Sequence, residues 1–321
     1  MTVFGSVSQG SVPPLTGATS WLNSEPLTPE GLRGRVVAFD FCTYTCINWL
    51  RTVPYIRAWQ AKYADRGFTV VGVHTPEFPF ERDLPFIREE LARRGIEYPV
   101  AVDSDYGVWH AFDNHYWPAL YLADGEGQIR FSHFGEGRYD EIERAVQQLL
   151  GVDEDLVSVE PQGDEVSAVW EDVRSPETYL GYERAESLAS PGGGTLNQTR
   201  AYRLPEHLGL NQWALAGQWT MRPGRVDLDE VGGRIAFRFH ARDVNLIVGS
   251  LEPETPVAFR VTVDGSEPGP SRGVECDEHG AGMVGIPRMY QLVRVADDVR
   301  ERTFEIEFEE GGIAAYCFTF G

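Results

Sequence analysis

The chain has 321 residues, 42% hydrophobic and 24% charged, with a formal net charge of −21. That length suits about two domains, and so acidic a balance argues against nucleic acid and anionic membrane surfaces as partners. No apolar run reaches the ~18 residues a membrane-spanning helix needs, and four cysteines in a chain this long do not form a disulfide framework.

The first residues, Met1 to Pro14, are small and polar and read as a loose arm without the basic-then-apolar pattern of a signal peptide, which makes the cytoplasm the default location. Leu15 to Leu32 follows, with a helix-start signal at Thr28-Pro29-Glu30. Val36 to Phe41 is apolar except for Asp40, the pattern of a central strand covered on both faces. After Cys46 the spacing turns helical, with Ile56, Trp59 and Tyr63 on one face and Gly67 as a stop. A second buried strand is expected over Thr69 to His74 and a helix over Asp83 to Arg94 ending at Gly95. A short strand over Tyr98 to Val102 and a short helix over Tyr106 to Phe112 come next. Ala119 to Ala123 and Gln128 to His133 form a hairpin around Asp124-Gly125, and Tyr139 to Leu150 is a closing helix. The alternation implies an α/β domain, a mixed sheet covered by helices. Acidic, poorly patterned residues then read as a linker. Beyond it, short alternating strands between Gly- and Pro-rich turns, from Gln212 to Phe320, imply an antiparallel sandwich.

The chemistry concentrates where the first central strand meets its helix. Free N–H groups at a helix start favour a thiolate, and the thiolate is the nucleophile, which marks Cys46. A carboxyl inside an apolar strand is desolvated and its pKa raised, so Asp40 is placed to exchange a proton near neutral pH. Thr43 and Thr45 are expected to cap the helix. Cys42, four residues before Cys46, is either a resolving thiol or an apolar filler beside the sheet; a bridge needs Cα atoms within about 7 Å. The seven histidines form no metal-ligand pattern, and no phosphate loop or other cofactor motif occurs, so neither metal nor cofactor is expected.

Three stretches together resemble the thioredoxin superfamily: Phe41-Cys-Thr-Tyr-Thr-Cys-Ile-Asn-Trp-Leu-Arg-Thr-Val-Pro54, Gly72-Val-His-Thr-Pro-Glu77, and Tyr116-Trp-Pro-Ala-Leu-Tyr-Leu122. They look most like TlpA-type members and above all the soluble C-terminal region of DipZ-type proteins. The resemblance implies a thioredoxin-like domain with a TlpA-type insertion over 1–151, an acidic linker over 152–174 and an all-β jelly-roll sandwich, similar to a carbohydrate-binding module, over 175–321. It sets Asp40 at the family's buried acid, Cys46 at the first cysteine of Cys-x-x-Cys, Pro54 at the helix proline, Pro118 at the cis-proline facing the sulfur, and Glu77 at the insertion's acid. A substrate cleft beside Cys46 is expected to include Thr43, Trp49, Trp117 and, if the family geometry holds, Glu77; Trp49 and Trp117 serve there as shields of Cys46, or the large ring at 49 equally as a substrate platform. The resemblance also implies an extracytoplasmic setting for many relatives.

The chain departs from the pattern where the second cysteine would stand. Position 49 is Trp, and Cys42 occupies the place of the family's Trp. A mixed disulfide formed on Cys46 therefore lacks the usual neighbouring thiol to release it. The leading expectation is thiol-redox chemistry at Cys46 toward a protein thiol, a disulfide or a small thiol. Two alternatives stand beside it. One is a redox-inactive scaffold that binds peptide or glycan. The other is a single-cysteine peroxidase, since Thr43-Tyr-Thr-Cys46 matches part of the peroxiredoxin signature, though Phe39 replaces its proline. In the second domain Trp213, Trp219 and Tyr290 are candidates for stacking on sugar rings, against the commoner role of aromatics as core.

Overall fold

The computed structural model describes residues 10–321, which divide into two compact units, the first ending at Glu165 and the second running from Val166 to Gly321. The expectation of a loose arm over residues 1–9 lies outside the described residues. Gly10 to Val12 do not hang free: Ser11 bridges Gln128, and the Val12 N–H donates to Gly127 O.

The first unit is built on strands β1 (Ser20–Leu22), β2 (Val36–Cys42), β3 (Phe68–His74), β4 (Val100–Val102), β5 (Ala119–Ala123) and β6 (Ile129–Phe134). Its helices are α1 (Ile47–Tyr63), α2 (Leu84–Arg93), α3 (Gly107–Ala111) and α4 (Tyr139–Leu150). The sheet order is β1-β4-β3-β2-β5-β6, with β2, β3 and β4 parallel and the other pairings antiparallel. All seven residues of β2 are buried, as a central strand requires. Alternation sends Phe39 and Phe41 to one face, where they meet Trp109, Phe112 and Tyr121. Asp40 and Cys42 therefore face the opposite side. Gly67 and Gly95 stop their helices at positive φ, +87° and +63°.

Three expectations change. Thr28-Pro29-Glu30 opens no α-helix; the segment forms turns, with the Leu32 N–H bonded to Thr28 O and Arg33 N–H to Glu30 O. The three residues of β1 carry too little pattern to be read alone and become a strand by pairing with β4. Part of the acidic linker is strapped to the first unit. Val157 N–H donates to the buried Glu143 carboxylate, which also accepts from Tyr63 Oη at 2.6 Å and Trp59 Nε1 at 3.1 Å. Further on, Arg94 grips Asp164 through two parallel hydrogen bonds of 2.6 and 2.7 Å.

The second unit is a curled sheet of 11 strands between Thr178 and Phe320, every pairing antiparallel. The strand Trp213–Met221 pairs with Arg234–Phe239 through its first half and with Val226–Leu228 through its second. One strand thus belongs to both layers, and the sheet folds over a single apolar core. Gly217 sits at the switch with φ +97°, and a Cβ there would lie 2.9 Å from Gly233 Cα. The glycan-stacking expectation is overturned. Trp213 and Trp219 are 0% exposed and Tyr290 1%, all three in the core. Their polar ends are satisfied internally: Trp213 Nε1 donates to Glu186 O, Trp219 Nε1 to Ala216 O and Tyr290 Oη to Ile286 O. None presents a ring face to a sugar.

Candidate active site around Cys46

After β2 the chain makes a tight turn, closed by a hydrogen bond from the Cys46 N–H to Thr43 O at 3.1 Å, and α1 begins. Cys46 is the N-cap residue, in an extended conformation (φ −73°, ψ 109°). The residue is partly exposed, and its sulfur lies 3.9 Å from Trp117 O. The Trp117–Pro118 peptide bond is cis. Among the described residues the other three cysteines, Cys42, Cys276 and Cys317, are buried. Cys46 is the one cysteine among the described residues that is not buried.

Cys42 is 1% exposed and its thiol donates to Val73 O at 3.6 Å. Burial, with the charges of Asp40, Cys46 and Glu81 adding to it, pushes its pKa well up, so this thiol stays protonated. Trp49 is 1% exposed and belongs to the core, so it offers no platform to a substrate. Its indole N–H donates to Asp40 Oδ2 at 3.0 Å. Asp40 is 2% exposed; burial raises its pKa to about 6 against the opposing hydrogen bond from Trp49. The carboxylate is thus engaged by a ring. His74, opposite Cys42 on β3, is a sealed imidazole stacked on Tyr44, and burial lowers its pKa to about 3. It is neutral at any physiological pH.

The cis bond joins Pro118 to the carbonyl that faces the sulfur, but the Pro118 carbonyl itself already accepts from Gly135 N–H at 2.8 Å, so the loop offers an extended peptide less than a free strand edge would. Trp117 is half-buried and packs on Trp109 with ring centroids 4.3 Å apart. Neither Thr43 nor Thr45 caps α1, whose N-cap has no side-chain hydrogen bond. Thr45 turns instead to Glu81, a residue sequence reasoning missed. Glu81 lies in the short 3-10 helix Pro79–Arg82 of the insertion and is fully buried. Its Oε1 accepts from Thr45 Oγ1 at 2.7 Å and Thr45 N–H at 3.3 Å; its Oε2 accepts from the N–H groups of Glu77 and Phe78 at 2.7 and 2.8 Å. Burial raises its pKa to about 7. The insertion's acid that reaches the cysteine turn is therefore Glu81, while Glu77 contributes its backbone. An acid directly after Phe78-Pro-Phe80 was the available signal.

A parallel β2-β3-β4 core with antiparallel β5 and β6, a cysteine capping the helix after the central strand and a cis-proline opposite it define a thioredoxin-like protein. The thiol-disulfide oxidoreductase YkuV of Bacillus subtilis is 32% identical over 139 residues, 43% of this chain and 93% of YkuV, and the first unit belongs to that thioredoxin-like family. A solved thioredoxin-like protein in its oxidised form is 34% identical, covering 44% of this chain and 95% of its own, at a TM-score of 0.42. The whole chain is homologous to the DipZ protein of Mycobacterium tuberculosis, 34% identical over 98% of its length, and it spans 43% of the length of DipZ. Residues 175–321 match the family described as thioredoxin like C-terminal domain. No helix among the described residues is long and apolar enough to cross a membrane.

Proposed function

We propose that the first unit is a thiol–disulfide exchange protein working through one sulfur, Cys46. The observation that carries this is the pairing of a partly exposed Cys46 with a core tryptophan at position 49. The Cys46 thiolate attacks a disulfide of a partner protein or small molecule; a new S–S bond forms, the old one breaks, and the departing sulfur leaves as a thiolate that takes a proton from solvent. With no thiol at position 49 and Cys42 sealed and protonated, an external thiolate completes the cycle. It attacks the mixed disulfide at the partner's sulfur and expels the Cys46 thiolate. Pro118 shapes the cleft wall, and Asp40 acts at one remove by holding Trp49.

The test is reaction with a chromogenic aromatic disulfide. One equivalent of aromatic thiolate is expected per native chain, with a persistent adduct on Cys46 seen by peptide mass spectrometry, and none in Cys46→Ser. The alkylation midpoint of Cys46 is expected below the free-thiol value of about 8.5. Rapid loss of the adduct with no added thiol would show an internal resolving sulfur and overturn the one-cysteine cycle. An unreactive native Cys46 would instead leave a binding scaffold.

A further inference from the structure

Glu81 links two segments that the sequence keeps far apart. Four donors converge on its two oxygens: the N–H and hydroxyl of Thr45, which directly precedes Cys46, and the N–H groups of Glu77 and Phe78. Three of the four are backbone N–H groups, which only donate. A site of donors that is closed to water matches a carboxylate anion, because a protonated oxygen would point its hydrogen at another hydrogen. We propose that Glu81 is a positioning residue for Cys46: its ionised carboxylate pins the Thr43–Cys46 turn to the inserted segment and so holds the sulfur at the helix start. This rests on the reading of Cys46 as the reacting sulfur.

The clamp is costly to charge, since burial raises the Glu81 pKa to about 7, with the charge of Glu77 adding to the rise. The groups that face it from the neighbouring elements are few, and besides the four donors the Thr43 hydroxyl favours its charged form. Glu77 comes from the loop after β3, Cys42 from the end of β2 and Tyr106 from the start of α3. Cys42 and Tyr106 are neutral near pH 7, since the pKa of each is raised. Glu81 is therefore the group in this cluster that titrates near neutrality. As pH rises through that range the carboxylate forms, all four hydrogen bonds are made, and the turn locks. The same anion opposes a thiolate nearby, so its net contribution to Cys46 is placement.

The experiment measures iodoacetamide alkylation of Cys46 from pH 5.5 to 9.5, read by peptide mass spectrometry on the full chain. The wild type is expected to show two inflections, one from the thiol itself and a second near pH 7. In Glu81→Gln the second inflection disappears and the rate above pH 7.5 falls at least tenfold, because an amide cannot accept on both sides. Thr45→Val, which removes one arm and keeps the charge, retains the inflection with a smaller loss. A single inflection in the wild type, or superimposable profiles for wild type and Glu81→Gln, overturns the proposal. Should Glu81→Gln fail to fold by far-ultraviolet circular dichroism, the wild-type and Thr45→Val profiles decide alone. The readout separates this inference from the exchange reaction. A chain that alkylates with the expected profile yet takes no disulfide loses the redox function and keeps the clamp.

Discussion

Replacing Asp40 with Asn should stabilise the first unit at neutral pH and do so less in acid. The carboxyl is 2% exposed, and its pKa moves from 3.8 to about 6 chiefly because burial penalises the charged form. The folded chain thus holds this proton more tightly than the unfolded chain. Stability falls as pH climbs from about 4 to about 6 and stays reduced above. At about 1.4 kcal/mol per tenfold change in proton affinity, the full penalty is ~3 kcal/mol, of which ~2 kcal/mol accrues between pH 4.5 and 8. The side-chain amide in Asp40→Asn would keep an acceptor for the Trp49 indole and remove the charge. Any misfit of that amide adds a cost that does not vary with pH. Glu81, raised to about 7, and His74, lowered to about 3, also make stability depend on pH, in opposite senses, but both are present in the variant and cancel in the difference. Urea unfolding followed by tryptophan fluorescence at pH 4.5 and 8 measures it. A stability difference between Asp40→Asn and wild type that is the same at both pH values would refute the reasoning.

Two further outcomes follow from the same packing. Trp49→Cys restores Cys-x-x-Cys; insulin-reduction activity should appear or rise at least tenfold, while loss of a core ring and its bond to Asp40 destabilises the unit by about 3–5 kcal/mol, checked by urea titration. Asp164→Asn leaves the nearly buried Arg94 without its bidentate carboxylate, and by comparison with other broken buried pairs should cost about 3–5 kcal/mol in the same assay.

Much of this architecture was legible before any coordinates. Regular elements longer than five residues announce themselves through their patterning: β2 through an apolar run interrupted only by Asp40, and α4 over the residues expected, Tyr139–Leu150. What escaped notice depends on partners distant in sequence. β1 exists because β4 offers an edge, and the strap from Glu154 to Asp164 because Glu143, Gln147 and Arg94 receive it. At the site, the cysteine, the buried acid and the cis-proline were each foreseen in place. The role of Thr45 was not, since a hydroxyl beside a helix start reads as a cap until a buried carboxylate 36 residues away claims it. Trp49 read equally as shield or platform, because sequence shows the size of a ring and not which side of it meets solvent.

An indole where a second sulfur would sit would change the kinetic order of the proposed chemistry. In a dithiol protein the covalent complex dissolves at a rate set by the protein alone. Under the one-cysteine cycle proposed above, its lifetime would scale inversely with the concentration of whatever thiol arrives from outside. The surroundings, more than the fold, would decide whether such a molecule behaves as a carrier or as a trap.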